Sequence, residues 1–192
     1  MRFETKHFKI MLNLNFDPFP TLHTQRLVLR KMEMSDDQDI FFLRSDKKVN
    51  EFIDMNLTRT IDDARTHINK IDNIIAKGEG IYWVISLPER KNLIGTICIW
   101  NISTENEKAE TGYVLHPDFV GQGYMHEALE AVVKIGFEYI GLKTIEAFTR
   151  ADNERSTRLL ASLNFARDFE EEKRFVEDGI IIPEAIFSLR VG

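Results

Sequence analysis

The stretch Leu115-His116-Pro117-Asp118-Phe119-Val120-Gly121-Gln122-Gly123-Tyr124-Met125 joins one regular element to the next through a loop with two glycines. Upstream, Ala109–Leu115 reads as a strand that Pro117 ends. Downstream, Met125, Ala128, Leu129, Val132, Val133, Gly136, Phe137 and Ile140 recur with the spacing of one helix face. A loop of this kind can turn its amides toward one point, and the helix start adds unpaired N–H groups and a positive dipole end. Together they form an anion cradle of phosphate size. Taken alone, the Gly-x-Gly is equally a plain turn. A P-loop is excluded, because no Gly-Lys-Ser/Thr follows. The dinucleotide fingerprint fits poorly: His126 stands where a third glycine belongs, and the connection from the strand is too long. Glu146, about twenty residues on, keeps that alternative open.

Working outward, Thr24–Lys31 alternates polar and apolar and predicts a strand. Ser35 is placed to cap a helix carrying Ile40, Phe41 and Leu43. Thr60 and Asp63 form a capping-box variant ahead of Ile61, Ala64, Ile68, Ile71 and Ile75, and Gly78 and Gly80 end that helix. Strands follow at Ile81–Leu87 and Leu93–Asn101, joined by a turn at Pro88–Asn92. The second is apolar on both faces, as a covered central strand is. Thr144–Phe148 is a further strand, and Asn153 caps a helix with Leu159, Leu160 and Leu163. Ala166–Val191 reads as two strands around a turn near Glu177-Asp178-Gly179. The order β-α-α-β-β-β-α-β-α-β-β predicts an α/β fold with a mixed sheet. Residues 1–20, with prolines at 18 and 20, read as an arm, and 21–192 as one domain.

Composition narrows the function classes. Twenty-five Lys+Arg against 31 Asp+Glu give a net charge of −6, which argues against a general nucleic-acid binder. The single cysteine, Cys98, excludes an internal disulfide and a cysteine-based zinc cluster, and it reads as inert packing inside an apolar strand. His116 and His126 lack metal-ligand spacing, so no metal is expected. No apolar run approaches the roughly 18 residues of a membrane span. The first twenty residues do not read as a signal peptide, so a cytoplasmic location is expected.

The segments GYVLHP (112–117), GQGYMHEAL (121–129) and ADNERSTRLLASLNF (151–165) resemble the GNAT superfamily of acyl-CoA N-acyltransferases. The opening TQRLVLRKMEMSD (24–36) matches the branch that holds the RimJ/RimL ribosomal-protein acetyltransferases and their small-molecule relatives. The resemblance covers roughly Leu22 to Leu189. It implies a GNAT fold: a twisted, mixed, mostly antiparallel sheet of six or seven strands with about four helices. It also implies acetyl-CoA as cofactor, a primary-amine acceptor (a protein N-terminus or a small molecule), direct attack in a ternary complex, and a monomer or homodimer. A catalytically idle acyl-CoA-binding module is the alternative.

Residue by residue, the resemblance gives the diphosphate loop to Val120, Gly121, Gln122, Gly123, Tyr124 and Met125. Val120 and Met125 depart from the general Arg/Gln-x-x-Gly-x-Gly/Ala pattern, and Gln122 replaces the branch's usual lysine. These departures matter little where amides do the binding. Asn153 and Ser156 match the branch's Asn-x-x-Ser, near pantetheine and sulfur. Asn153 is equally an N-cap, and Ser156 is a candidate acid for the departing thiolate. The main-chain amide of Val114 or Leu115 is the candidate oxyanion donor. Glu110, in Glu110-x-Gly112-Tyr113, is a candidate general base, or a strand-end carboxylate in a surface ion pair. Alternation puts Glu110, Gly112 and Val114 on one face, with Thr111, Tyr113 and Leu115 on the other. Acceptor-pocket candidates are 46–56, Tyr82, Trp83, Trp100 and the hairpin near Phe175; the two tryptophans are equally core or wall residues. The acidic run 170–172 reads as a solvated strand edge or a lure for a cationic peptide.

Overall fold

The computed structural model describes residues 11–53, 56–89, 92–169, 174–177 and 180–191, with no side-chain detail for 174–177 and 180–184. Residues 1–10 of the arm, the centres of the turns expected at 88–92 and 177–179, the acidic run 170–172 and the side chain of Phe175 therefore lie outside the description.

The strands are β1 (Leu22–His23), β2 (Val28–Lys31), β3 (Ile81–Ser86), β4 (Leu93–Ser103), β5 (Lys108–Leu115), β6 (Thr144–Arg150), β7 (Ala166–Arg167), β8 (Arg174–Glu177) and β9 (Ile180–Arg190). They form one sheet in the order β1-β2-β3-β4-β5-β6-β9-β7, with β8 also on β9. Every pairing is antiparallel except β5 with β6. The expected six or seven strands become nine among the described residues because β1 and β7 are two-residue strands with no readable period. The four helices are α1 (Asp37–Ser45), α2 (Ile61–Ala76), α3 (Tyr124–Ile135) and α4 (Glu154–Ser162).

The α2 helix starts as its sequence dictates. The Thr60 hydroxyl accepts from the Asp63 amide at 3.2 Å, and the Asp63 carboxylate accepts from the Thr60 amide at 2.9 Å. Ala64, Ile68, Ile71 and Ile75 then form its buried stripe. α3 buries Met125, Ala128, Leu129 and Val132 against the other face of the sheet. Helical geometry ends at Ile135, not Ile140: the chain widens into a π-turn over Gly136–Ile140. Gly136 is packed so closely that a Cβ would lie 2.7 Å from Ile145 Cδ1.

Two local expectations are corrected. Ser35 does not cap α1. Glu33 and Asp36 form a reciprocal box around a 3-10 turn, and Arg30 grips Asp36 with two bonds of 2.9 and 2.7 Å. The expected strand Thr24–Lys31 begins only at Val28, because Thr24 to Leu27 is a turn closed by Thr24 N–H to Leu27 O at 3.0 Å. The described part of the arm lies on the body: Phe16 is buried in the main core, and the Asn13 amide donates to Ile140 O at 2.9 Å.

Candidate active site

The site arises where the sheet fails to close. β5 and β6 pair only through Lys108–Glu110 with Thr144–Glu146 and then diverge. Lys108 pins the closed end by donating to both Glu146 oxygens at 3.0 Å. The open end is a cleft of about 2040 Å³. A single small-molecule site needs roughly 300–1,000 Å³, so the cleft has room for two substrates together. Every catalytic and cofactor-loop residue expected from the sequence lines it except Gln122, whose side-chain amide instead donates to Asp118 O at 2.8 Å.

Strand parity decides between the two candidate oxyanion donors. The His116 amide donates to Ile94 O on β4 at 2.7 Å. A residue in an antiparallel pair sends its N–H and C=O to the same side, and the sides alternate. Val114 shares the parity of His116 and faces β4. Leu115 has the opposite parity and directs its amide into the gap.

The glycine loop presents further amides. Gly121 and Gly123 are both left-handed, at φ +80°, a conformation glycine adopts without Cβ strain. The N–H groups of Gly121, Gln122 and Gly123 have no acceptor among the described residues. Gly123 is the N-cap of α3 and offers no side chain to fold back, so the first-turn amides after it also stay open. A Cβ on Gly121 would meet no atom within 4 Å, so the space on that side of the residue is open. Met125 is buried, leaving only its main chain for a ligand, whereas Val120 is exposed at the rim.

Arg26, unassigned from the sequence, braces this loop. Its Nη1 donates to Gln122 O at 2.9 Å, its Nε reaches Glu127 at 2.7 Å, and its guanidinium lies 4.6 Å from the Tyr124 ring centroid. Burial alone raises the Glu127 carboxyl, but bonds from Thr24 and Arg26 outweigh it and hold the group below its ordinary range. A fixed anion beneath the loop keeps Arg26 in place.

Across the gap, the Asn153 side chain caps α4 by accepting from the Ser156 amide at 3.2 Å. The Ser156 hydroxyl is hydrogen-bonded to the Tyr113 hydroxyl at 2.8 Å. Burial pushes the Tyr113 phenol up to about 12, against the lowering effect of Ser156, so it holds its proton at neutral pH. The sequence places Tyr113 only on the strand face opposite Glu110 and gives it no role.

The other face of the sheet carries Glu110. Register aligns Tyr82, Cys98 and Gly112 in one row, with Trp100 opposite Glu110 in the next. Gly112 leaves the floor open: a Cβ there would come no nearer than 3.6 Å to Cys98 Sγ. Glu110 is half-buried and accepts from Asn101 Nδ2, so its carboxylate is oriented and makes no ion pair among the described residues. Burial pushes the Cys98 thiol up to about 12, which keeps it protonated and unreactive. Tyr82 and Trp100 are cleft walls. Trp83 is not: it is fully buried on the opposite face, with its indole N–H on Pro20 O at 2.8 Å.

Two further cleft residues escaped the sequence reading. Arg44 ends α1 and His67 lies on α2. Burial lowers His67 to about 4, with help from Arg44 and Lys70, so it is neutral at pH 7. His67 lies three residues after Ala64 and four before Ile71, at the edge of the buried stripe, which is the signal that marks it. Among the described residues, no cluster of His, Cys, Asp and Glu is arranged to hold a metal, and no helix is long and apolar enough to cross a membrane.

Open amides around two left-handed glycines at a helix start fit a diphosphate. Comparison with known proteins gives the family. The acetyltransferase (GNAT) domain model matches residues 26–166. The chain is 33% identical over 174 residues to the uncharacterized N-acetyltransferase p20 of Bacillus licheniformis, covering 88% of this chain and 95% of that one. A GNAT-family acetyltransferase structure from Bacillus anthracis superposes with TM-score 0.76 at 25% identity, over 89% of this chain and 98% of the other. RimL, a ribosomal L7/L12 α-N-protein acetyltransferase solved with coenzyme A, shares the fold with TM-score 0.76 at 17% identity, over 90% and 98% of the two chains. The chain therefore belongs to the GNAT acetyltransferase family, enzymes whose acyl donor is acetyl-CoA.

Proposed function

We propose that this enzyme transfers acetyl from acetyl-CoA directly to a primary amine, a peptide N-terminus or a small molecule, with both substrates bound at once. Residues 21–192 form the catalytic domain in this reading, with 1–20 as its arm. The observation that carries it is one cleft, opening where β5 and β6 part, that is lined both by Glu110 and by the glycine loop with its open amides. Acetyl-CoA, when bound, supplies an activated thioester. The loop from Val120 to Met125 holds its diphosphate, and Asn153 fixes the start of α4 beside the pantetheine.

Glu110 takes the proton from the attacking amine, directly or through water, and Asn101 keeps the carboxylate aimed. An α-amino group titrates near ~7.7–8.0, so the base has little work to do at neutral pH. The Leu115 amide stabilises negative charge developing on the acyl oxygen. Ser156 donates to the departing sulfur, and Tyr113, bonded to it, supplies the next proton in line. Most of the acceleration comes from holding the two reactants together.

The test is Glu110→Gln. Turnover should fall at least roughly tenfold, less than the usual contribution of a general base because the amine is already partly neutral, while CoA affinity measured by calorimetry stays unchanged. Unchanged turnover would remove Glu110 from the mechanism.

A further inference from the structure

We infer that the acceptor amine carries its own anionic group, a carboxylate or a phosphate, which docks on Arg44 while the amine faces Glu110. This rests on the transferase reading above.

The argument begins with charge. The chain as a whole carries −6, yet among the described residues the cleft is lined by seven Lys and Arg and two carboxylates, Glu51 and Glu110. Three of those cations belong to β6 and α4, where Arg150 and Arg158 are already paired with Asp152 and Glu154. The other four are Arg44, Lys47, Lys48 and Lys70, from α1, the loop after it, and α2. None of these four has an ion pair among the described residues.

Arg44 carries the strongest demand. Its Nε is fully enclosed and has no hydrogen-bond partner among the described residues. Enclosing a guanidinium N–H without an acceptor is costly. Its described neighbours supply none. Asn50 directs its side-chain amide to Leu43 O and Asp46 O, both at 2.8 Å, and His67 is neutral. A side pouch of about 40 Å³ touches Arg44, Asn50, His67, Thr96 and Val114, and shares all five with the cleft. A guanidinium, a planar fork of donors, bordering such a space matches a carboxylate or phosphate.

Placement fixes the second half of the inference. Val114 and Glu110 lie on the same face of β5, Val114 lines the pouch beside Arg44, and Tyr82 lines the cleft with both charged groups. The carboxylate for the amine and the guanidinium for the anion thus border one cleft. That span suits a small zwitterion. A polyamine or an aminoglycoside would bring several positive charges against Arg44, Lys47, Lys48 and Lys70 and be repelled.

The experiment uses the full chain with acetyl-CoA and follows free thiol. Acceptors come in matched pairs: amino acids against their carboxamides for the carboxylate arm, O-phosphoethanolamine against ethanolamine for the phosphate arm. A polyamine is included. The anionic member of a pair should have the higher kcat/KM by roughly tenfold to a hundredfold, the factor carried by a hydrogen bond to a charged group. Arg44→Met should erase that preference without changing the KM for acetyl-CoA. Lys70→Gln, at an exposed position, should reduce it by a smaller factor and serves if Arg44→Met fails to fold. Better turnover of uncharged or cationic amines, or equal loss of both pair members in Arg44→Met, overturns the inference and leaves the transferase reading standing. No thiol release from any amine, with acetyl-CoA binding intact by calorimetry, overturns both.

Discussion

Replacing Gly123 by alanine separates the fold from the cradle. Its φ of +80° costs an L-residue about 1–2 kcal/mol, and the stiffer unfolded chain returns roughly 0.4–1 kcal/mol of that. The new Cβ would sit 3.3 Å from Arg26 Nη2, the end of a flexible side chain that can give by a few tenths of an ångström. Net destabilisation is therefore about 1 kcal/mol, a fall of roughly 2–4 °C in Tm for a chain of this size. Binding is hit harder, because relief of the strain turns the 122–124 amides away from their common point. Losing one hydrogen bond to a charged group is worth about 1.5–3 kcal/mol, so CoA should bind roughly tenfold to a hundredfold more weakly. Differential scanning fluorimetry reads the first quantity and isothermal titration calorimetry the second. CoA affinity within twofold of wild type, beside the expected drop in Tm, refutes the idea that these amides hold the diphosphate.

Two more predictions follow from packing and charge. His67 has a folded value of about 4 against 6.5 when unfolded, so the unfolded chain binds the extra proton between those values; stability is full above pH 6.5 and falls by roughly 3 kcal/mol as pH drops to 4. His67→Gln should flatten Tm over that window, and an unaltered pH profile would place His67 in contact with water. Gly95→Ala would put a Cβ 2.5 Å from Val114 O and 3.2 Å from Leu115 Cα; both are backbone, so β4 and β5 must part, at about 1–3 kcal/mol. Because Leu115 moves with them, kcat should fall more than CoA affinity, and equal losses in the two would argue against the Leu115 amide as oxyanion donor.

What was legible in the chain and what was not divide along physical lines. Period and capping are local, and the helices they predict are present: Thr60 with Asp63, the stripe from Ala64 to Ile75, and the Gly123 entry to α3. Ser35 misled because a hydroxyl two residues after Glu33 has the same sequence signature as a cap, and the competing carboxylate pair wins through Arg30, six residues upstream of Asp36. Trp83 and Tyr82 are adjacent, and sequence cannot say which face of β3 meets the cleft; the register Tyr82–Cys98–Gly112 decides it. Arg44 is the hardest case. On α1 it reads as an ordinary last-turn cation, favourable for the helix dipole. Only the packing of α1 against α2 encloses its Nε beside His67, and only the divergence of β5 from β6 gives that guanidinium a cleft to face. Candidate cofactor residues that would act through the main chain are thus written in glycines and helix starts, which local rules read. Residues proposed to choose the acceptor would act through side chains from separate elements, and their meaning appears only when the sheet brings those elements together.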